Sequence, residues 1–143
     1  MEIIRATSTA EQAGAYYVRI QAMARKHHIP LRVEFDEHDT PDTFYIVAID
    51  DYLPVATCRL YPIDESQMML GRIVVLPEYR HQGLGTAVVK AAEEWARELG
   101  FTTSVVESRD NKMHFYETMG YVADSSEAIV GETFTCYRMM KKL

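Results

Sequence analysis

Val74-Val75-Leu76-Pro77-Glu78-Tyr79-Arg80-His81-Gln82-Gly83-Leu84-Gly85-Thr86 joins two stretches of different hydrophobic period. Ile73, Val74 and Val75 are apolar and β-branched, the composition of a buried strand. The run stops at Pro77, crosses a short polar turn and enters a long amphipathic helix through two glycines. Leu84, Ala87, Val88, Ala91, Ala92, Trp95 and Leu99 predict the apolar stripe of that helix. Lys90, Glu93, Glu94, Arg97 and Glu98 are expected to face solvent, and Gly100 to end it. A strand feeding a glycine turn at a helix N-terminus leaves backbone N–H groups unpaired at the positive end of a helix dipole. Such a turn suits an anion, phosphate or pyrophosphate in particular.

Working outward, Ser8-Thr9-Ala10-Glu11 has the spacing of a capping box. Behind it Ala13, Tyr16, Tyr17, Ile20, Met23 and Ala24 keep helical spacing until Pro30. Glu34 to Asp42 is acidic, contains Pro41 and reads as a loop. Phe44–Ile49, Pro54–Tyr61 and Gln67–Val75 read as three strands of an antiparallel meander, parted by Asp50-Asp51 and Asp64-Glu65-Ser66. Beyond the long helix, Thr102–Glu107 completes a strand–helix–strand crossover, so the strands flanking the helix should be parallel and right-handed. Asp110 is placed to cap a short helix carrying Met113, Phe115, Tyr116 and Met119, ended by Gly120. Strands at Tyr121–Ala123 and Thr133–Met140 close the chain. The order β-α-β-β-β-α-β-α-β-β predicts one α/β domain, residues 1–143, with a mixed, mostly antiparallel sheet and helices on both faces.

Bulk properties narrow the function. A chain of 143 residues has room for one sizeable core. A net charge of −6 argues against nucleic acid and anionic membrane as partners, since both need a basic face. No apolar run reaches transmembrane length and no signal peptide is evident, so a cytoplasmic protein is expected. Cys58 and Cys136 lie far apart in strand-like segments and read as reduced, half-buried thiols. His27 and His28 are adjacent on a helix and point about 100° apart, which favours a solvated helix end over a metal site. No metal is expected. Lys141-Lys142 reads as a solubilising tail.

Two motifs carry a family resemblance. Arg80-His81-Gln82-Gly83-Leu84-Gly85 matches the pattern Gln/Arg-x-x-Gly-x-Gly/Ala, and a Walker loop is excluded because no Gly-Lys-Ser/Thr occurs. Phe115-Tyr116-Glu117-Thr118-Met119-Gly120-Tyr121 matches Phe-Tyr-Glu-x-x-Gly-Phe/Tyr, with a helix and a strand between the two. On these the chain resembles the GNAT acetyltransferase superfamily over essentially its whole length. Leu70-Gly71-Arg72-Ile73-Val74-Val75 and the acidic stretch near Glu37-His38-Asp39 resemble a bacterial subgroup of small members.

The resemblance implies an acyl-CoA N-acyltransferase fold, with the central parallel strand pair splayed around coenzyme A. It implies acetyl-CoA as co-substrate and an amine as acceptor, with homodimerisation left open. Backbone N–H groups from Gln82 to Thr86 would face the pyrophosphate, and Gly83 and Gly85 would let phosphate oxygens approach without a Cβ in the way. Thr86 could add a hydroxyl donor. Arg80 either adds charge or is a solvated turn residue, and His81 is expected to be exposed with only its backbone used. Ile73, Val74 and Val75 would pair with the pantetheine arm through main-chain groups, as an added strand would.

The same resemblance gives Tyr116 the role of donor to the departing thiolate. A phenol of pKa about 10 is protonated at neutral pH and suits that task. An alkylamine of similar pKa must lose a proton before or during attack. Relatives supply a Glu on the strand leading to the turn, where this chain has Met69; Glu107, Glu34, Glu37, His38 or ordered water are the substitutes. At Arg109, relatives carry an Asn or Gln that contacts the cofactor; Asn111 is two positions late. The acidic loop favours a cationic acceptor. The missing strand carboxylate keeps one rival open, a non-catalytic acyl-CoA-binding module; a further rival is a pure interaction domain that keeps the fold only.

Overall fold

The computed structural model describes residues 1–124, 128–131 and 134–143. Among these, eight strands form one sheet. They are β1 (Glu2–Ala6), β2 (Phe44–Asp50), β3 (Leu53–Pro62), β4 (Gln67–Val75), β5 (Thr103–Arg109), β6 (Val122–Ala123), β7 (Ile129–Val130) and β8 (Thr135–Lys142). The order across the sheet is β1-β2-β3-β4-β5-β8-β6, with β7 also paired to β8. Every pairing is antiparallel except β4 with β5. The fold is thus the expected α/β domain with one parallel pair at its centre. The short strand β7 was not foreseen, and Thr133, the expected start of the last strand, lies outside the described residues.

Helices cover both faces. α1 (Thr9–Arg19) packs Ala15 on Tyr45 and Val47, while α3 (Leu84–Glu98) sets Trp95 edge-on to Phe44 at 4.9 Å. Side chains alternate across a strand, so these contacts mark opposite sides of β2. The capping box is present: Glu11 N donates to Ser8 Oγ at 3.2 Å and Ser8 N donates to Glu11 Oε1 at 3.0 Å. α1 then runs into a π-helical turn, Ile20–Ala24. Its buried face is not the one the spacing suggested. Ala13 and Tyr17 are exposed, whereas Gln12, Ala15, Val18, Arg19 and Ala22 are buried. A fully buried arginine breaks the apolar pattern because its charge is met by carboxylates from the following segment.

α3 is rotated in the same way. Val89 and Ala96 are buried and Leu99 is exposed. Glu93, expected to face solvent, is buried: it accepts from the Tyr121 hydroxyl at 2.8 Å and from Lys141 Nζ at 2.9 Å. Lys141 is therefore an ion-pair partner of the helix, not a loose tail. The acidic segment begins with a one-turn helix, α2 (Leu31–Glu34). Asp110 opens a 3₁₀ turn ahead of α4 (Met113–Thr118) and makes no side-chain cap.

Two irregularities open the sheet at its centre. Parallel pairing of β4 with β5 runs from Gln67–Thr103 to Leu70–Val106 and stops, though both strands continue. In β4, Arg59 pairs with Gly71 but Thr57 with Val74, so an extra residue is bulged out at Arg72 and Ile73. Arg72 has φ 46° there. The strands splay beyond Leu70 and Val106.

Candidate active site

A cleft of about 720 Å³ fills the splay. One wall is Leu70–Val75 of β4, the other Glu107–Arg109 of β5 with Phe115 and Tyr116 of α4. Its far end is the turn into α3. Gly83 is the N-cap residue, left-handed at φ 79°, and no side chain caps the helix. A side chain is disfavoured at that φ, so glycine fits. The first N–H groups of α3 have no partner within the helix, and Gly83, Leu84, Gly85 and Thr86 all line the cleft. A Cβ on Gly85 would lie 3.5 Å from Phe115 Cζ, an ordinary contact. His81 is exposed and also left-handed, at φ 63°.

Of the residues singled out from sequence, Ile73, Val74, Val75, Arg80, His81, Gly83, Leu84, Gly85, Thr86 and Tyr116 line this one cleft. Gln82 does not. The wall also includes Phe134, which sequence reasoning passed over, and Arg72, His27 and Cys136, which it read without placing them at the cleft; for His27 the sequence predicts a solvated helix end. The Phe134 ring lies edge-on to His27 at 5.6 Å and under the Arg109 guanidinium at 4.2 Å. No local pattern announces these contacts, because the turn that follows the π-helical segment and the residue that precedes β8 meet across the chain. The charged residues of the wall are Lys26, Arg72, Arg80, Arg109 and Lys112 against Glu34 and Glu107. A chain of net charge −6 therefore has a cleft lined mainly by cations, as an anionic ligand requires.

Tyr116 is buried beside Phe115 and Tyr121, with ring centroids 5.0 and 5.7 Å away. Burial pushes its phenol up from the ordinary value, so the hydroxyl carries its proton at neutral pH. Tyr121 fixes the helix end: its backbone N–H donates to Tyr116 O at 3.0 Å, and its hydroxyl accepts from Ser104 Oγ at 2.6 Å while donating to Glu93. The phenol of Tyr121 serves the scaffold, whereas Tyr116 lines the cleft.

The acidic segment is occupied elsewhere. Glu34 Oε2 accepts from Arg19 Nε at 3.0 Å and lies 3.1 Å from Arg72 Nε, while the Glu34 backbone carbonyl accepts from Arg72 Nη2 at 2.9 Å. Asp36 accepts from Arg59 at 2.8 Å and Arg72 at 3.3 Å. Asp39 accepts from Arg19 at 2.7 Å, Arg59 at 3.0 Å and the Tyr45 hydroxyl at 2.6 Å. Burial works against ionising Asp39, but the bonds from Arg19 and Tyr45 outweigh it and hold its carboxyl well below the usual range. Asp36 is likewise held low, its burial offset by Arg59. Three of the loop's carboxylates, Glu34, Asp36 and Asp39, are therefore neutralised by arginines and give little pull on a cationic acceptor. Among the other candidate proton acceptors, Glu37 is 80% exposed and His38 stacks on Tyr61 at 3.7 Å; both lie outside the cleft. Met69 is buried. Glu107 lines the cleft with no cation within 4 Å among the described residues.

Similarity to known proteins agrees with this geometry. The model of the acetyltransferase (GNAT) family matches residues 9–121. A Bacillus subtilis (strain 168) protein named as a candidate acetyltransferase is 31% identical over 129 residues, covering 89% of this chain and 87% of that one. A solved Lactobacillus plantarum structure, described as a candidate N-acetyltransferase, is 33% identical with a TM-score of 0.93, covering 99% and 97%. An aminoglycoside 6'-N-acetyltransferase solved with coenzyme A shares the fold at a TM-score of 0.74 and 15% identity, covering 99% and 97%.

Proposed function

The chain belongs to the GNAT acetyltransferase family, and on that premise we propose that it transfers an acetyl group from acetyl-CoA to a primary amine by direct attack in a ternary complex. The observation that carries this reading is the single cleft running from the uncapped N-terminus of α3 to the apex of the β4–β5 splay, with Tyr116 on its wall.

Backbone N–H groups from Gly83 to Thr86 bind the pyrophosphate, aided by the helix dipole and by Arg80 and Lys112. Gln82 contributes its backbone if at all, since it does not line the cleft. Main-chain groups of Ile73, Val74 and Val75, on the β4 edge left without β5 beyond Leu70, pair with the pantetheine arm. That path aims the thioester at Leu70 and Val106, where the strands part. The Tyr116 hydroxyl donates to the sulfur as the C–S bond breaks and thiolate charge develops. Binding both substrates in one cleft replaces a bimolecular collision with a positioned attack.

Met69 supports a second reading, a module that binds acyl-CoA without turning it over, because the strand ahead of the turn offers no carboxylate. Calorimetric titration with acetyl-CoA, then thiol release across a panel of primary amines, separates the two. Saturable binding with amine-dependent release of CoA is expected. Tight binding with no amine accelerating release beyond hydrolysis would leave only the binding module, and no saturable heat would remove both.

A further inference from the structure

Glu107 follows Val106, the last β5 residue paired with β4, so it stands at the apex where the cleft begins. Its side of the sheet is fixed by the register. Met69 lies opposite Tyr61 on one neighbour and opposite Val105 on the other, and side chains two apart on a strand share a face. Glu107 thus shares the face of Val105, Met69 and Tyr61. Burial raises the Tyr61 phenol, and the Glu107 charge adds to that, as proximity on one face requires. Tyr116 packs from the other side, in the cluster with Cys58, Leu70, Val106 and Met139. The apex is therefore flanked by a carboxylate on one face and a phenol on the other.

The other carboxylates are committed or misplaced. Glu34, the only other acid of the cleft wall among the described residues, accepts from Arg19 on Oε2 and is ion-paired with Arg72 on the same oxygen. Asp36 and Asp39 are bound by Arg19, Arg59 and Arg72, and Glu37 and His38 are outside the cleft.

We propose that Glu107 is the proton acceptor of the acetyl transfer, working from the sheet face opposite Tyr116. This rests on the acetyltransferase reading given above. The nucleophile enters over the Met69 face and its nitrogen forms a bond to the carbonyl carbon. The nitrogen becomes far more acidic as that bond forms, and its proton passes to the Glu107 carboxylate. The C–S bond breaks, and the sulfur takes its proton from the Tyr116 side. Solvent returns the proton from Glu107 to Tyr116, so the amine loses one proton and the thiol gains one. Water attacking the thioester needs the same acceptor.

The test uses full-length Glu107→Gln and Glu107→Ala. CoA release is followed with acetyl-CoA alone, and with spermidine, lysine and tyramine as acceptors. Both variants are expected to bind acetyl-CoA as the wild type does, and to release CoA about a hundredfold more slowly, the low end of what a positioned base supplies. Added formate should restore part of the rate in Glu107→Ala and none in Glu107→Gln, where the amide fills the space. Unchanged release in Glu107→Gln would overturn the assignment. So would loss of acetyl-CoA binding in both variants, or loss of rate without formate rescue, since each marks a structural role. If no amine accelerates the wild type, the amine-acetyltransferase reading falls while the acetyl-CoA-only rate still tests Glu107.

Discussion

Glu34, Asp36 and Asp39 each accept from at least two arginines, whereas Glu107 has no cation within 4 Å among the described residues. The two regions hold the same functional group in opposite states. In the first, Arg19, Arg59 and Arg72 tie α1, the acidic segment, β3 and the β4 bulge into one charged unit beneath the cleft. In the second, the groups at the apex are left open to whatever enters. An acidic stretch in a sequence therefore gives no count of carboxylates available for chemistry. Availability depends on which arginines fold against them, and here those arginines come from three distant segments.

Breaking the committed region should give the largest effect. Arg19 is fully buried and is shared by Glu34 and Asp39. Arg19→Ala takes one of the two guanidiniums away from both Glu34 and Asp39, and urea unfolding should show a loss of about 3 kcal/mol, the low end for a broken buried pair, because Arg72 and Arg59 remain. The double variant Arg19→Met with Asp39→Asn should lose less than the separate losses added together, because the two share one interaction. The same region sets the acid limit. Asp36 and Asp39 have folded-state pKa values depressed below the unfolded ones. Their contribution is complete above about pH 4, the unfolded value, and is lost as pH falls toward the folded values. Urea midpoints of the wild type should drop below that pH, and those of Arg19→Ala should drop less steeply.

Legibility in the sequence follows the same divide. Periodicity and turn residues located the meander, the crossover helix and the glycine turn, because each is a local pattern of apolar spacing and backbone need. β4 matched its expected bounds to the residue. Of the residues expected to contact the cofactor, all but Gln82 line the cleft, and of the candidate bases Glu34 and Glu107 do, while Glu37 and His38 do not. What stayed hidden was long-range pairing. Glu93 looked solvent-facing until Tyr121 and Lys141 met it, and the helical spacing gave no sign that Arg19 would be buried against Glu34 and Asp39. Helical spacing assigns charged residues to solvent by default, and only a tertiary partner reverses that. His27 and Phe134 joined the cleft for the same reason, across more than a hundred residues of chain.

At the uncommitted end, Tyr116→Phe removes one oxygen and keeps the ring packing against Phe115 and Tyr121. Turnover should fall at least tenfold, about 1.4 kcal/mol of barrier, while calorimetry finds acetyl-CoA affinity little changed. If turnover holds, the phenol is scaffold like Tyr121, and the contrast between the two tyrosines disappears.

The smallest effect separates the two glycines of the turn. Gly83 has φ 79° with open space where a Cβ would go, so Gly83→Ala should cost about 1 kcal/mol of stability through backbone strain alone. Gly85 has no such φ, and a Cβ there meets only Phe115 at an ordinary distance. Gly85→Ala should therefore unfold in urea much as the wild type does, yet bind acetyl-CoA more weakly if the proposed pyrophosphate site is right, because the new methyl would stand in the path of the phosphate oxygens. Equal loss of stability in both variants would mean that the turn is built for its own conformation. Loss of affinity in Gly85→Ala without loss of stability would mean that the second glycine is kept for the ligand, as an uncommitted group at the cleft should be.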